Sequence, residues 1–137
     1  MKTHIPVLSN EILDHLKPEA GKIYIDGTLG GAGHSKLILE KLGDSGHLYS
    51  FDQDIEVIRR HGAEAEEHSN WTLVHSNFAN ISDYIQEHSL QVDGGLVLDL
   101  GLSSIQLDDP ARAFNFDSEL APDMRLDPEA DLKAEDV

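Results

Sequence analysis

Cysteine is absent from this chain, tryptophan occurs once, and ten lysines and arginines face 26 aspartates and glutamates. Without a thiol there is no disulfide, no thiolate metal ligand and no cysteine nucleophile. The shortage of cations excludes more. A formal charge of −16 and a pI near 4.6 set up a field that repels phosphate backbones, so composition speaks against nucleic-acid binding and for solubility or a salty cytoplasm. No apolar run approaches the roughly 20 residues that cross a bilayer. The N-terminal stretch mixes acids with apolar residues, unlike a secretory signal. The expectation is a cytoplasmic protein without membrane contact. The eight histidines form no HxH or HExxH pattern, so no metal site is indicated.

What is present is a regular alternation. The 137 residues fit one domain with a real core. Residues 6–17 carry apolar side chains at helical spacing, and "KIYID" (22–26) reads as a buried strand. Helices are predicted over 34–43, 54–68 and 80–89, and further strands over 47–52, 71–76 and 94–101. Strand and helix alternate four times with short connections, which specifies a parallel sheet with helices on both faces. From about Ser103 the periodicity dissolves, and three of the five prolines lie in this stretch. The chain divides into an α/β core over 1–102 and an irregular segment over 103–137, and four strands look like the front half of a larger sheet.

In such sheets ligands lie beyond the carboxyl ends of the strands, where strand order reverses. Four stretches fall at those ends: the bend "GTLGGAG" (27–33), Asp52, "SNF" (76–78) and Asp99. The bend has no GxxxxGK[ST] spacing, and Lys36 stands where GxGxxG needs its third glycine. It is a poor pyrophosphate cradle and suits a compact uncharged or zwitterionic ligand, or serves only a tight turn. Asp52 can accept both hydroxyls of a ribose or cap the following helix, a role for which Asp54 competes. Phe78 can cover an adenine ring or sit in the core. Asp99 ends an apolar strand, where a charge needs a reason; it can hold an amino group or touch a reacting amine. His34 is the one histidine inside the bend.

The stretches "HIPVL" (4–8), "YIDGTLGGAGHS" (24–35), "FDQD" (51–54), "LDLGLSSIQLDDPARAFNF" (98–116) and "DMRLDP" (123–128) together resemble the N-terminal half of the bacterial RsmH (MraW) family. The resemblance runs from His4 to Pro128. It implies a Rossmann-like class I S-adenosylmethionine-dependent methyltransferase fold, here the first four strands with flanking helices, apparently truncated. It implies methylation of N4 of a cytidine in small-subunit ribosomal RNA. Carried over by position, cofactor binding falls on Ala32, Gly33, His34, Asp52, Phe78, Asp99 and Gln106, with Asp99 also the candidate catalytic acceptor. Ala32 replaces a frequent glycine, Ile105 a usual proline, and "SELAPDMR" (118–125) departs from the usual Asp-Gly-Pro-Leu before Asp-Met-Arg. The resemblance also implies an absent inserted subdomain and absent later strands. The acidic charge fits if the family's RNA contacts lie there, and the uncovered sheet edge makes self-association possible. Two other readings stay open. One is a folded, cofactor-binding but inactive fragment; the other is a nicotinamide-dependent oxidoreductase, which shares the architecture and an acid at Asp52 but needs the missing glycine.

Overall fold

The computed structural model describes residues 6–114 and 119–137. His4, Ile5 and residues 115–116, which contribute to the resemblance, lie outside the described residues. Four parallel strands, β1 (Ile23–Asp26), β2 (His47–Asp52), β3 (Trp71–His75) and β4 (Gly95–Val97), form one sheet in the order β3-β2-β1-β4. Strand order therefore reverses between β1 and β4, and the carboxyl ends of all four strands share one edge. That is the α/β arrangement the alternation specifies.

Helices α1 (Ser9–Leu16), α2 (Gly33–Leu42) and α3 (Ile55–Glu66) cover one face of the sheet. There Ile38, Leu39, Leu42, Val57 and Ala65 pack with Tyr24, Leu48, Trp71 and Val97, and Ile12 and Leu16 close over them. Helix α4 (Ile81–Glu87) covers the other face, where Ile81 meets Ile25 and Phe51. The period of two explains the split: Tyr24 aligns with Leu48 and Gly95, and Ile25 with Tyr49 and Leu96. Beyond β4, helix α5 (Ser104–Asp108) and 3-10 turns at Pro110–Arg112 and Ala134–Asp136 punctuate an otherwise irregular tail.

Two elements are shorter than their patterns suggest. β4 pairs with β1 over three residues only, so Leu98 to Gly101 lie past the strand and not in it. Helix α1 starts after Leu8, which takes a left-handed conformation at φ 55°. Pro6 thus precedes the helix and is free to pack elsewhere.

Candidate functional site

The bend after β1 is held from beneath by a buried carboxylate. Asp26 Oδ1 accepts the Thr28 N–H at 3.0 Å, and its Oδ2 accepts the Ser35 hydroxyl at 2.6 Å. Ser35 Oγ lies 2.8 Å from Ser50 Oγ, which accepts the Trp71 indole N–H at 2.8 Å. Since Ser35 spends its proton on Asp26, Ser50 donates to Ser35, and a one-way chain of donors runs from Trp71 to Asp26. Burial pushes the Asp26 carboxyl above its usual range, against the opposing Ser35 and Thr28 bonds. Above this floor the Leu29 N–H donates to the Phe51 carbonyl at 2.8 Å, and Gly30 turns the chain at φ 48°. Ala32 follows at φ 60°, fully buried, and precedes α2. Helix α2 has no side-chain cap on its first-turn amides.

Asp52 closes the bend from the side. Its Oδ2 accepts the Gly30 N–H and its Oδ1 the Asp54 N–H, both at 2.9 Å. Each oxygen retains a lone pair for a second donor. Burial raises its pKa, and the bonds from Asp54 and Gly30 pull the other way. The competing cap assignment is resolved here: Asp54 caps α3, accepting the Glu56 N–H at 3.0 Å.

Asp99 and His34 form the opposite wall. The Asp99 N–H donates to Thr28 Oγ1 at 2.7 Å, which fixes the chain leaving β4 against the bend. The carboxylate itself is half exposed, with Oδ2 3.8 Å from His34 Nδ1. The sequence places a charge at the end of an apolar strand; in the structure that charge stands in the mouth of a cleft, past the strand end. His34 is buried, and its Nε2 donates to the Val7 carbonyl at 3.0 Å. Pro6 packs where Gly33 lacks a side chain: a Cβ on Gly33 would come within 2.8 Å of the Pro6 ring. The N-terminal segment is therefore part of the wall.

Together these groups line a cleft of about 540 Å³. That volume suits a cofactor-sized ligand. Gly33, His34, Asp52, Phe78, Asp99 and Gln106 all line it; Ala32 lies beneath, in the core. Phe78 is 41% exposed at the rim, so it is a lip of the cleft and not a core residue. Gly31 also lines the cleft, and a Cβ there would meet nothing within 4 Å. Gln106 is engaged at both ends, its Oε1 accepting the Ser103 N–H and its Nε2 donating to Asp54 Oδ2, each at 3.0 Å. Among the described residues no group of three or more His, Asp or Glu side chains is arranged to hold a metal. No helix among them is long and apolar enough to cross a membrane.

Sequence reasoning missed the ionic pair behind the site. Arg112 Nη2 donates to Asp54 Oδ2 at 2.9 Å, with both side chains buried. The signal available was a lone arginine in "DDPARAF", and nothing in its spacing tied it to Asp54, 58 residues away.

The sequence matches the MraW methylase family over residues 1–137. A protein of Acholeplasma laidlawii named ribosomal RNA small subunit methyltransferase H 1 is 43% identical over 134 residues, 98% of this chain and 44% of its own length. The ribosomal RNA small subunit methyltransferase H of Clostridium botulinum strain Kyoto is 40% identical over 134 residues, 98% of this chain and 43% of its own. The chain thus spans less than half the length of these relatives. A crystal structure of a candidate rRNA-methylase from Clostridium thermocellum superposes with a TM-score of 0.52 at 20% identity, covering 60% of this chain and 49% of that one. At that identity the likeness concerns the fold, which is the Rossmann-like one.

Proposed function

The chain belongs to the MraW methylase family, and we propose that its cleft binds S-adenosyl-L-methionine for methylation of the N4 amine of a cytidine in small-subunit ribosomal RNA. One observation carries the reading. All four strand ends supply the same cleft, with the bend, Asp52, Phe78 and Asp99 on its walls. The residues fit the cofactor's chemistry. Asp52 offers two carboxylate oxygens for the ribose hydroxyls, and Phe78 an exposed aromatic face for the adenine. Asp99, with His34 beside it, offers the charge that an amino-acid ammonium needs. Gly31 leaves open space for close approach of the ligand to backbone. Gln106 supports the wall, its amide being already bonded within the protein.

When bound, the cofactor supplies an electrophilic methyl group on a sulfonium. Positioning then does most of the catalytic work. Asp99 is the group available to accept a hydrogen bond from the acceptor amine, whose lone pair is delocalised into the cytosine ring. Leu100 and Leu102, exposed beside it on the rim, provide an apolar approach for a base.

Calorimetry of the chain with S-adenosylmethionine, S-adenosylhomocysteine and NAD tests the ligand. Saturable binding of the first two and none of NAD is expected; preference for NAD would overturn the reading. Transfer of a labelled methyl to isolated small subunits tests the acceptor. Label recovered on any base other than cytidine would reassign it.

A further inference from the structure

Arg112 lies behind the cleft and has no part in the ligand contacts proposed above. Two other segments, the start of α3 and the tail, nevertheless meet at its guanidinium. Its Nη2 donates to Asp54 Oδ2 at 2.9 Å and lies 3.0 Å and 2.7 Å from the Arg125 and Leu126 carbonyl oxygens. Its Nη1 is 3.8 Å from Glu56 Oε2. Asp54 Oδ2 is also the acceptor for Gln106, so the start of α3, helix α5 and the turn at Pro110–Arg112 converge on one buried carboxylate, and Arg112 ties the tail to them.

The geometry reaches the ligand wall by two short routes. Asp54 donates its backbone N–H to Asp52 Oδ1, so the place of Asp54 sets the orientation of the Asp52 carboxylate. Asp52 in turn holds Gly30. On the other route, the Leu126 carbonyl is tied to Arg112 while Leu126 itself lines the cleft. A buried carboxylate such as Asp54 is held in place only while it is paired and hydrogen-bonded. We propose that Arg112 is a positioning residue for ribose recognition: it fixes Asp54, and through Asp54 it aims Asp52 and seats the Leu126 wall. The proposal rests on the cofactor reading above for the identity of the ligand, and not for the placement of Asp52.

The test compares S-adenosylhomocysteine with its 2′-deoxyribosyl analogue on the whole chain. A variant that merely lowers the folded fraction weakens both ligands by the same factor. A variant that misaims Asp52 weakens the ribosyl ligand selectively. In Arg112→Gln the Kd for S-adenosylhomocysteine is expected to rise about tenfold, with a much smaller change for the deoxy analogue, so their ratio moves toward one. Arg112→Lys, which keeps a cation beside Asp54, is expected to retain most of the ratio. Asp54→Asn combined with Arg112→Gln removes both charges and leaves no unpaired buried carboxylate, so it supplies a folded variant for the same measurement. A parent-like ratio in that double variant, or equal weakening of both ligands in Arg112→Gln, would overturn the proposal. A second readout needs no ligand: the Gly30 amide resonance, set by its bond to Asp52, is expected to move in Arg112→Gln and to stay near its parent position in Arg112→Lys. If the parent binds neither ligand, the cofactor reading fails, and the Gly30 resonance alone decides whether Arg112 places Asp52.

Discussion

The Gly30 N–H and Asp52 Oδ2 are joined at 2.9 Å, so the acid that ends β2 holds the bend that follows β1. A residue read from sequence as a ligand contact is at the same time a structural brace. Removing it does two things at once, and a useful test must separate them. Asp52→Ala is expected to lose about 1.5–3 kcal/mol of binding per charge-assisted hydrogen bond to the ribose, less whatever water restores. A 2′-deoxy cofactor analogue separates the roles. The parent should discriminate strongly against it and the variant hardly at all; equal discrimination would leave Asp52 as a brace only.

The pH response follows from the direction in which Asp52 is shifted. Burial raises its folded-state pKa above the ordinary 3.8, so the folded protein takes up a proton more readily than the unfolded chain. The stability linked to this group is therefore present below about 3.8 and is lost as pH rises through the folded value; Asp26, raised by burial as well, acts in the same sense. Ligand binding responds oppositely, because the ribose hydroxyls need an ionised acceptor. Affinity for S-adenosylhomocysteine should fall on acidification with a midpoint above 3.8, and Asp52→Asn should remove that step from a calorimetric pH series. A midpoint at or below the ordinary carboxylate value would refute the assignment.

Two glycines of the bend are expected to behave differently. At Gly33 a new Cβ meets the Pro6 ring at 2.8–3.0 Å, while at Gly31 it meets nothing within 4 Å. Gly33→Ala should therefore push the N-terminal segment off its seat, breaking the His34–Val7 contact, and cost about 1–3 kcal/mol as overpacking does. Gly31→Ala should melt near the parent temperature and yet bind cofactor more weakly, because the methyl enters space the ligand needs. Thermal melts paired with calorimetry check both. A destabilised Gly31→Ala with intact binding would show that the bend serves the turn alone.

Most of the fold was legible because its signals are local. Strand periodicity, helix spacing and short connections specify the four parallel strands, and β2 falls on the residues its pattern marks, 47–52. The cleft was legible for a related reason: in a parallel sheet, residues at strand ends converge whatever lies between them, which brings Asp52, Phe78 and Asp99 together. What sequence could not reveal is non-local. Gly33 looks like a ligand-facing glycine, and only the packing of Pro6 shows what its missing side chain accommodates. Arg112 looks like a surface cation until the tail folds back and buries it on Asp54. The donor chain from Trp71 to Asp26 needs four separate elements, three strands and α2, brought together before it exists.

The outer edge of β4 supplies the last expectation. Among the described residues β4 pairs with β1 alone, and Leu96 and Leu98 on and beyond it are 44% and 40% exposed. A single short helix, α4, covers that face of the sheet, and its contacts centre on Ile25 and Phe51. An unpaired edge flanked by apolar side chains is a template for another strand. Against it stands the formal charge of −16, which makes two copies repel. The two terms respond differently to salt: screening weakens the repulsion and leaves the apolar contact intact. Self-association of the 137-residue chain should therefore strengthen as salt is added. Leu96→Lys, which places a charge on the edge, should suppress it while leaving S-adenosylhomocysteine binding unchanged, since Leu96 does not line the cleft. Sedimentation velocity over a concentration series at low and high salt checks this. A monomer under every condition would mean that the edge is covered, and association that dissolves with added salt would mean that ionic contacts, and not the leucines of β4, bring the copies together.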